Sequence, residues 1–169
     1  MRPASLSALV LATMLLLGGL VAPGTGAAQT VEAPTPTEGA YLAATRPHRE
    51  RFGEYQEQLL AHQQAAMEGQ LDTIALAELG DLTRNLFAAR QAFSEAVPSV
   101  RLDQYDRTIK LGLARAYDAT VLLLRAQRSE SVADSAALIR EAGIQSSSSI
   151  RLLKEAADEL RMLLPVTAL

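Results

Sequence analysis

Cysteine is absent from all 169 residues, and so is tryptophan. Without a thiol the chain can form no disulfide, thiolate zinc site, iron–sulfur cluster or covalent haem link. Histidine is reduced to His48 and His62, and no Glu-x-x-His element occurs, so the paired motif of a di-iron bundle is missing. These histidines are separated by about 21 Å along one expected helix, too far to share a metal. A haem held by His48 and Met162 also fails, because Met162 points about 150° away from the apolar seam of its own helix. No Gly-x-Ser-x-Gly elbow, phosphate-cradling glycine loop or EF-hand loop is present. No cofactor and no catalytic set is expected.

Aromatics make up only 4% of the chain, although 49% of it is hydrophobic. Ala and Leu must therefore fill most of the core, which favours closely packed helices over a sheet. An excess of positive charge is also missing: 16 Lys and Arg stand against 19 Asp and Glu. Nucleic acid and anionic membrane surfaces want a concentrated basic face, so neither is an expected partner.

The one apolar run, Ala8 to Ala22, is about 15 residues, short of the roughly 20 that a spanning helix needs. It follows Met1-Arg2 and is closed by Pro23-Gly24, with Gly26 and Ala28 at the small-residue positions that a signal peptidase reads. Residues 1–28 are expected to be a signal peptide cleaved after Ala28, which makes the protein periplasmic or secreted, with no membrane span in the mature chain. The chain offers no cysteine for a lipid anchor and no Arg-Arg pair for the twin-arginine route.

What is present is helical periodicity. Leu102, Tyr105, Ile109, Gly112, Ala116, Ala119, Leu123 and Ala126 step by three and four, and so lie on one side of a helix. Ala75, Leu79, Leu82, Leu86, Ala89, Phe93 and Ala96 repeat the pattern, as do Leu138, Ala142, Ser146, Ser149, Leu153, Ala156, Leu160 and Leu163. The pattern predicts helices over 47–68, 72–97, 99–128 and 131–164. Thr45 caps the first and Gly69 ends it, Asp72 caps the second, Pro98-Ser99 separates the second from the third, and Ser131 opens the fourth. Connections this short make consecutive helices antiparallel neighbours. The expected fold is all-α, an antiparallel up-down-up-down four-helix bundle. It is preceded by a Pro/Thr-rich linker over 29–46, which has room for a short helix at 38–46, and followed by a short tail over 165–169.

Two groups of residues stand out. Tyr55, His62, Gln63, Tyr117, Ser146 and Ser149 fall at about the same level on three helices. They read either as a polar mid-bundle ligand site or as small and polar side chains that permit close helix packing. Gly112 and Ala116 form a narrow point expected opposite the serines of the last helix. Leu111, Val121 and Leu122 lie outside the seam of the third helix and read either as an interaction patch or as intramolecular burial. The expected role is that of a non-enzymatic binding or interaction protein, acting on a protein partner or on a second copy of itself. A small-molecule binder that uses the polar level is the alternative, and an enzyme with a His, Tyr or carboxylate acid–base pair is the third reading.

Overall fold

A computed structural model describes residues 32–164. The expected signal peptide and the tail at 165–169 lie outside the described residues. Among these the chain forms helices and no strand: α1 (Pro36–Arg49), α2 (Phe52–Met67), α3 (Thr73–Glu95), a single 3₁₀ turn (Val100–Leu102), α4 (Asp103–Gln127) and α5 (Val132–Leu163).

The start of α1 corrects the reading of 29–46 as mainly a linker. Thr35-Pro36-Thr37-Glu38 is a capping box: the Glu38 amide donates to Thr35 Oγ1, and the Thr35 amide donates to Glu38 Oε2 at 2.8 Å. Pro36 occupies the first turn, where its missing N–H is no loss. Pro47 does not begin the next helix. It lies in the last turn of α1, and the break follows at Glu50 and Arg51 before α2 begins at Phe52.

The other boundaries follow local chemistry. Gly69, at φ 68, closes α2 in the left-handed region, and the Gln70 amide reaches back to the Ala65 carbonyl at 2.8 Å. The Asp72 side chain accepts from the Ala75 amide at 2.8 Å, and Ser131 accepts from the Asp134 amide. Ser99 does not cap its own helix. Its hydroxyl donates to Glu38 Oε1 at 2.9 Å, and the chain enters α4 through the 3₁₀ turn.

All eight seam residues of α4 are buried, joined by Asp106, Leu113 and Thr120. Helix α5 packs along α4, α3 packs on α4, and α2 touches α3, α4 and α5. Three pairs fix α4 and α5 as antiparallel. Arg101 donates to the Leu163 carbonyl, Gly112 faces Leu152 and Leu153, and Arg115 Nη1 donates to Gln145 Oε1 at 3.0 Å. Gly112 therefore does not lie opposite the serines. A Cβ there would stand 2.9 Å from Leu153 Cδ2, so the glycine makes room for a leucine pair.

Helix α1 lies against α3. Tyr41 packs edge-on against Phe93 and Tyr105, with ring centroids 6.2 and 6.3 Å away, and Phe52 stacks on Phe93 at 5.9 Å. With Tyr55 beside Phe52, five of the chain's seven aromatic rings gather at the α1 end, and the remaining two, Phe87 and Tyr117, pair with each other. An aromatic-poor chain thus concentrates its largest side chains where an extra helix has to be held.

Candidate functional site

The six residues expected at one polar level point into separate surroundings. Tyr55 is buried next to Phe52, with the Arg51 guanidinium 5.0 Å from its ring centre. His62 is buried on the side of α2 that meets α3, in an open cleft lined by Gln58, Glu78, Asp81 and Asn85. Gln63 reaches the other way, against Gly143 of α5. Tyr117 sits on the α3–α4 side, between Phe87 at 6.2 Å and the Arg90 guanidinium at 4.9 Å. Ser146 is fully buried and donates to the Ala142 carbonyl of its own helix at 2.9 Å. Ser149 is fully buried, and its hydroxyl has no partner. No hydrogen bond joins any two of the six. Helical phase explains the dispersal: residues at one height on neighbouring helices share a site only when their side chains also turn toward one axis.

Burial lowers the pKa of His62 below its ordinary value, and the charge of Glu78 opposes that shift. Burial, with Arg51 nearby, also lowers that of His48. Among the described residues neither histidine side chain makes a hydrogen bond, and no group of three or more His, Asp or Glu side chains could hold a metal ion. No helix of the described residues is long and apolar enough to cross a membrane.

The three outward apolar residues of α4 divide as well. Leu111 is 46% exposed, whereas Val121 and Leu122 are half-buried and Leu122 packs against the core. The patch is therefore smaller than the sequence suggests.

A polar cluster at the α1 end has no counterpart in the sequence reading. Tyr41 Oη donates to Asp106 Oδ1 at 2.9 Å, and Lys110 Nζ donates to Asp106 Oδ2 at 2.6 Å. By its i, i+4 spacing to Lys110, Asp106 reads from the sequence as half of an outer-face ion pair. Instead it is buried, because α1 covers that side of α4. Burial first, and the bond to Asp106 second, push the Tyr41 phenol far above its ordinary range, and burial does the same to Tyr105. Glu38 is buried too. The Thr35 amide holds its carboxyl below the ordinary value against the opposing effect of burial, aided by Ser99 and Arg101.

Beside this cluster lies a half-enclosed pocket of about 170 Å³, between the α1–α2 junction, α4 and α5. Phe52, Ile109, Leu153, Ala157 and Leu160 form its apolar lining, and Arg49, Tyr105 and Arg161 its polar one. Arg49 Nη2 donates to the Leu42 carbonyl at 3.0 Å, while its Nε is buried without a partner. Among the described residues no carboxylate comes within ion-pair distance of Arg49. Asp106, next to Tyr105 in the chain, is already taken by Tyr41 and Lys110. A half-buried guanidinium without a counter-charge is uncommon, because burial of a charge is costly unless it is paired.

The pocket could not be placed from the sequence, since its walls come from positions 49, 105, 153 and 161 and depend on α1 being a helix. The Thr-Pro-Thr-Glu capping box was the signal that could have announced α1. Compared with protein-family profiles, curated proteins and solved structures, the chain matches none.

Proposed function

We propose that the mature protein is an exported, non-enzymatic binding protein, built as an up-down-up-down bundle of α2 to α5 with α1 as a brace, and that it takes a small molecule at the α1 end. The bundle topology is supported by the short connections and by the antiparallel pairing of α4 with α5. Export is supported by the leader-like pattern of residues 1–28.

The observation that carries the binding reading is the half-enclosed pocket, where an apolar lining meets an Arg49 side chain without a counter-ion. An apolar recess with a few convergent polar groups is the usual form of a small-molecule site. Leucine at Ala157, an exposed position on the pocket's α5 wall, tests it. A fragment screen read by amide chemical shifts is expected to find ligands that perturb the pocket walls of the native chain and not those of Ala157→Leu. Hits scattered over the surface, indifferent to Ala157→Leu, would remove the reading. For export, the mature chain recovered from outside the cytoplasm should begin at Gln29. A chain that keeps Met1 and stays in the cytoplasm would refute it.

Self-association is a second reading, motivated by Leu111, a leucine 46% exposed on the helix that packs most extensively. It predicts a concentration-dependent size that Leu111→Glu abolishes.

A further inference from the structure

The size, lining and charge of the α1-end pocket narrow its ligand, and we infer that it takes a small monocarboxylate with a compact hydrocarbon body, of the size of benzoate. This inference rests on the reading of the pocket as a binding site.

The volume, about 170 Å³, is near that of a cavity which encloses a single benzene ring, roughly 150 Å³, and below the roughly 300 Å³ at which drug-sized ligands begin. One ring, or a branched chain of similar bulk, fills it. Phe52, Ile109, Leu153, Ala157 and Leu160 offer no hydrogen-bonding side chain, so the body must be apolar. The charged residues of the lining are both cations, Arg49 and Arg161, and no Asp or Glu is among them, so the head must be an anion. Arg161 already pairs with the exposed Asp158, whereas Arg49 has no acid.

The type of anion follows from the donors. A guanidinium is planar and matches the two oxygens of a carboxylate. With Arg161 paired to Asp158, Arg49 supplies one uncompensated positive charge, which balances a monocarboxylate and leaves a phosphate dianion with an unpaired charge at a largely apolar wall. Tyr105 contributes a phenol that burial keeps neutral, so the wall adds no competing negative charge.

Titration of the folded chain with benzoate, benzyl alcohol and inorganic phosphate, followed by amide shifts and calorimetry, tests the inference. Benzoate should perturb residues around Ile109, Leu153 and Leu160, benzyl alcohol should bind there at least about tenfold more weakly, and phosphate should not compete. Arg49→Gln should weaken benzoate by about ten- to a hundredfold and benzyl alcohol far less. Because Arg49 also holds the Leu42 carbonyl, Arg161→Gln serves as a second charge variant, with a smaller loss expected. Equal binding of benzyl alcohol and benzoate, indifferent to both variants, would overturn the carboxylate and leave the pocket standing as a binding site. Phosphate binding that displaces benzoate would reduce the site to a plain anion site and also overturn the inference. No perturbation of the pocket by any of the three probes would overturn the inference, and failure of the broader fragment screen would be needed to remove the binding reading itself.

Discussion

Tyr41 and Asp106 are 65 residues apart in the chain and meet through a buried hydrogen bond of 2.9 Å. It is the side-chain bond that ties α1 to α4. Tyr41→Phe keeps the ring packing on Phe93 and Tyr105 and removes only this bond. Hydrogen bonds to charged groups contribute about 1.5–3 kcal/mol, and loss on that scale is expected in urea unfolding. Limited proteolysis should detect α1 release first, since few other polar contacts hold it. An unchanged midpoint and an unchanged cleavage pattern would show that the aromatic packing suffices.

Gly112 and Gly80 should respond to alanine in opposite directions. Alanine gains about 1 kcal/mol of helix propensity over glycine. At Gly80 the new methyl group would meet only Arg84 Nη1 at 3.8 Å, so Gly80→Ala should stabilise by about 0.5–1 kcal/mol. At Gly112 it would stand 2.9 and 3.0 Å from Leu153 side-chain atoms and 3.3 Å from Leu152 Cβ. Overpacking of that kind costs about 1–3 kcal/mol and outweighs the propensity gain. Thermal melts of the two variants check the contrast.

Ser149 buries a hydroxyl that has no partner. Removing an unsatisfied polar atom relieves a desolvation penalty, so Ser149→Ala should be neutral or stabilising by up to about 1 kcal/mol. Its neighbour Ser146 has a satisfied hydroxyl, and Ser146→Ala should gain nothing. A strong destabilisation by Ser149→Ala would mean that the hydroxyl has a partner, such as an ordered water or a bound ligand.

The pH dependence follows from His62. Burial holds its pKa below the ordinary value of 6.5 in the folded chain, so the unfolded chain takes up the proton first. Well above about pH 6.5 the histidine is neutral in both states and subtracts nothing. As the pH falls from there through the lowered value, stability is lost. His48 is shifted in the same direction by burial and Arg51. Denaturation midpoints measured between about pH 7 and pH 5 should fall, and His62→Gln should flatten the slope. A slope that survives in the double variant with His48→Gln would assign it elsewhere.

Much of the fold was legible because period and caps agree. The seams of α3, α4 and α5 are continuous in the sequence and buried or half-buried in the structure, and Asp72, Gly69 and Ser131 mark real helix ends. What was hidden came from α1. Pro and Thr over residues 29–37 suggested an extended chain, and a proline at 47 suggested a helix start, yet a last-turn proline removes a single donor and α1 tolerates it. Once α1 is a helix, Asp106 passes from an outer face to the interior and Arg49 becomes a pocket wall. The mid-bundle residues failed to converge because height along a helix was legible and phase between helices was not.

Arg101 gathers the two ends of the described chain. Its Nη2 reaches the Glu32 carbonyl at 3.5 Å and also bonds the Leu163 carbonyl. The chain enters and leaves this fold side by side, which is the geometry that domain insertion and circular permutation require. The folded part could be spliced into a surface loop of another protein without stretching either host strand, and a label placed at one end would report on the environment of the other.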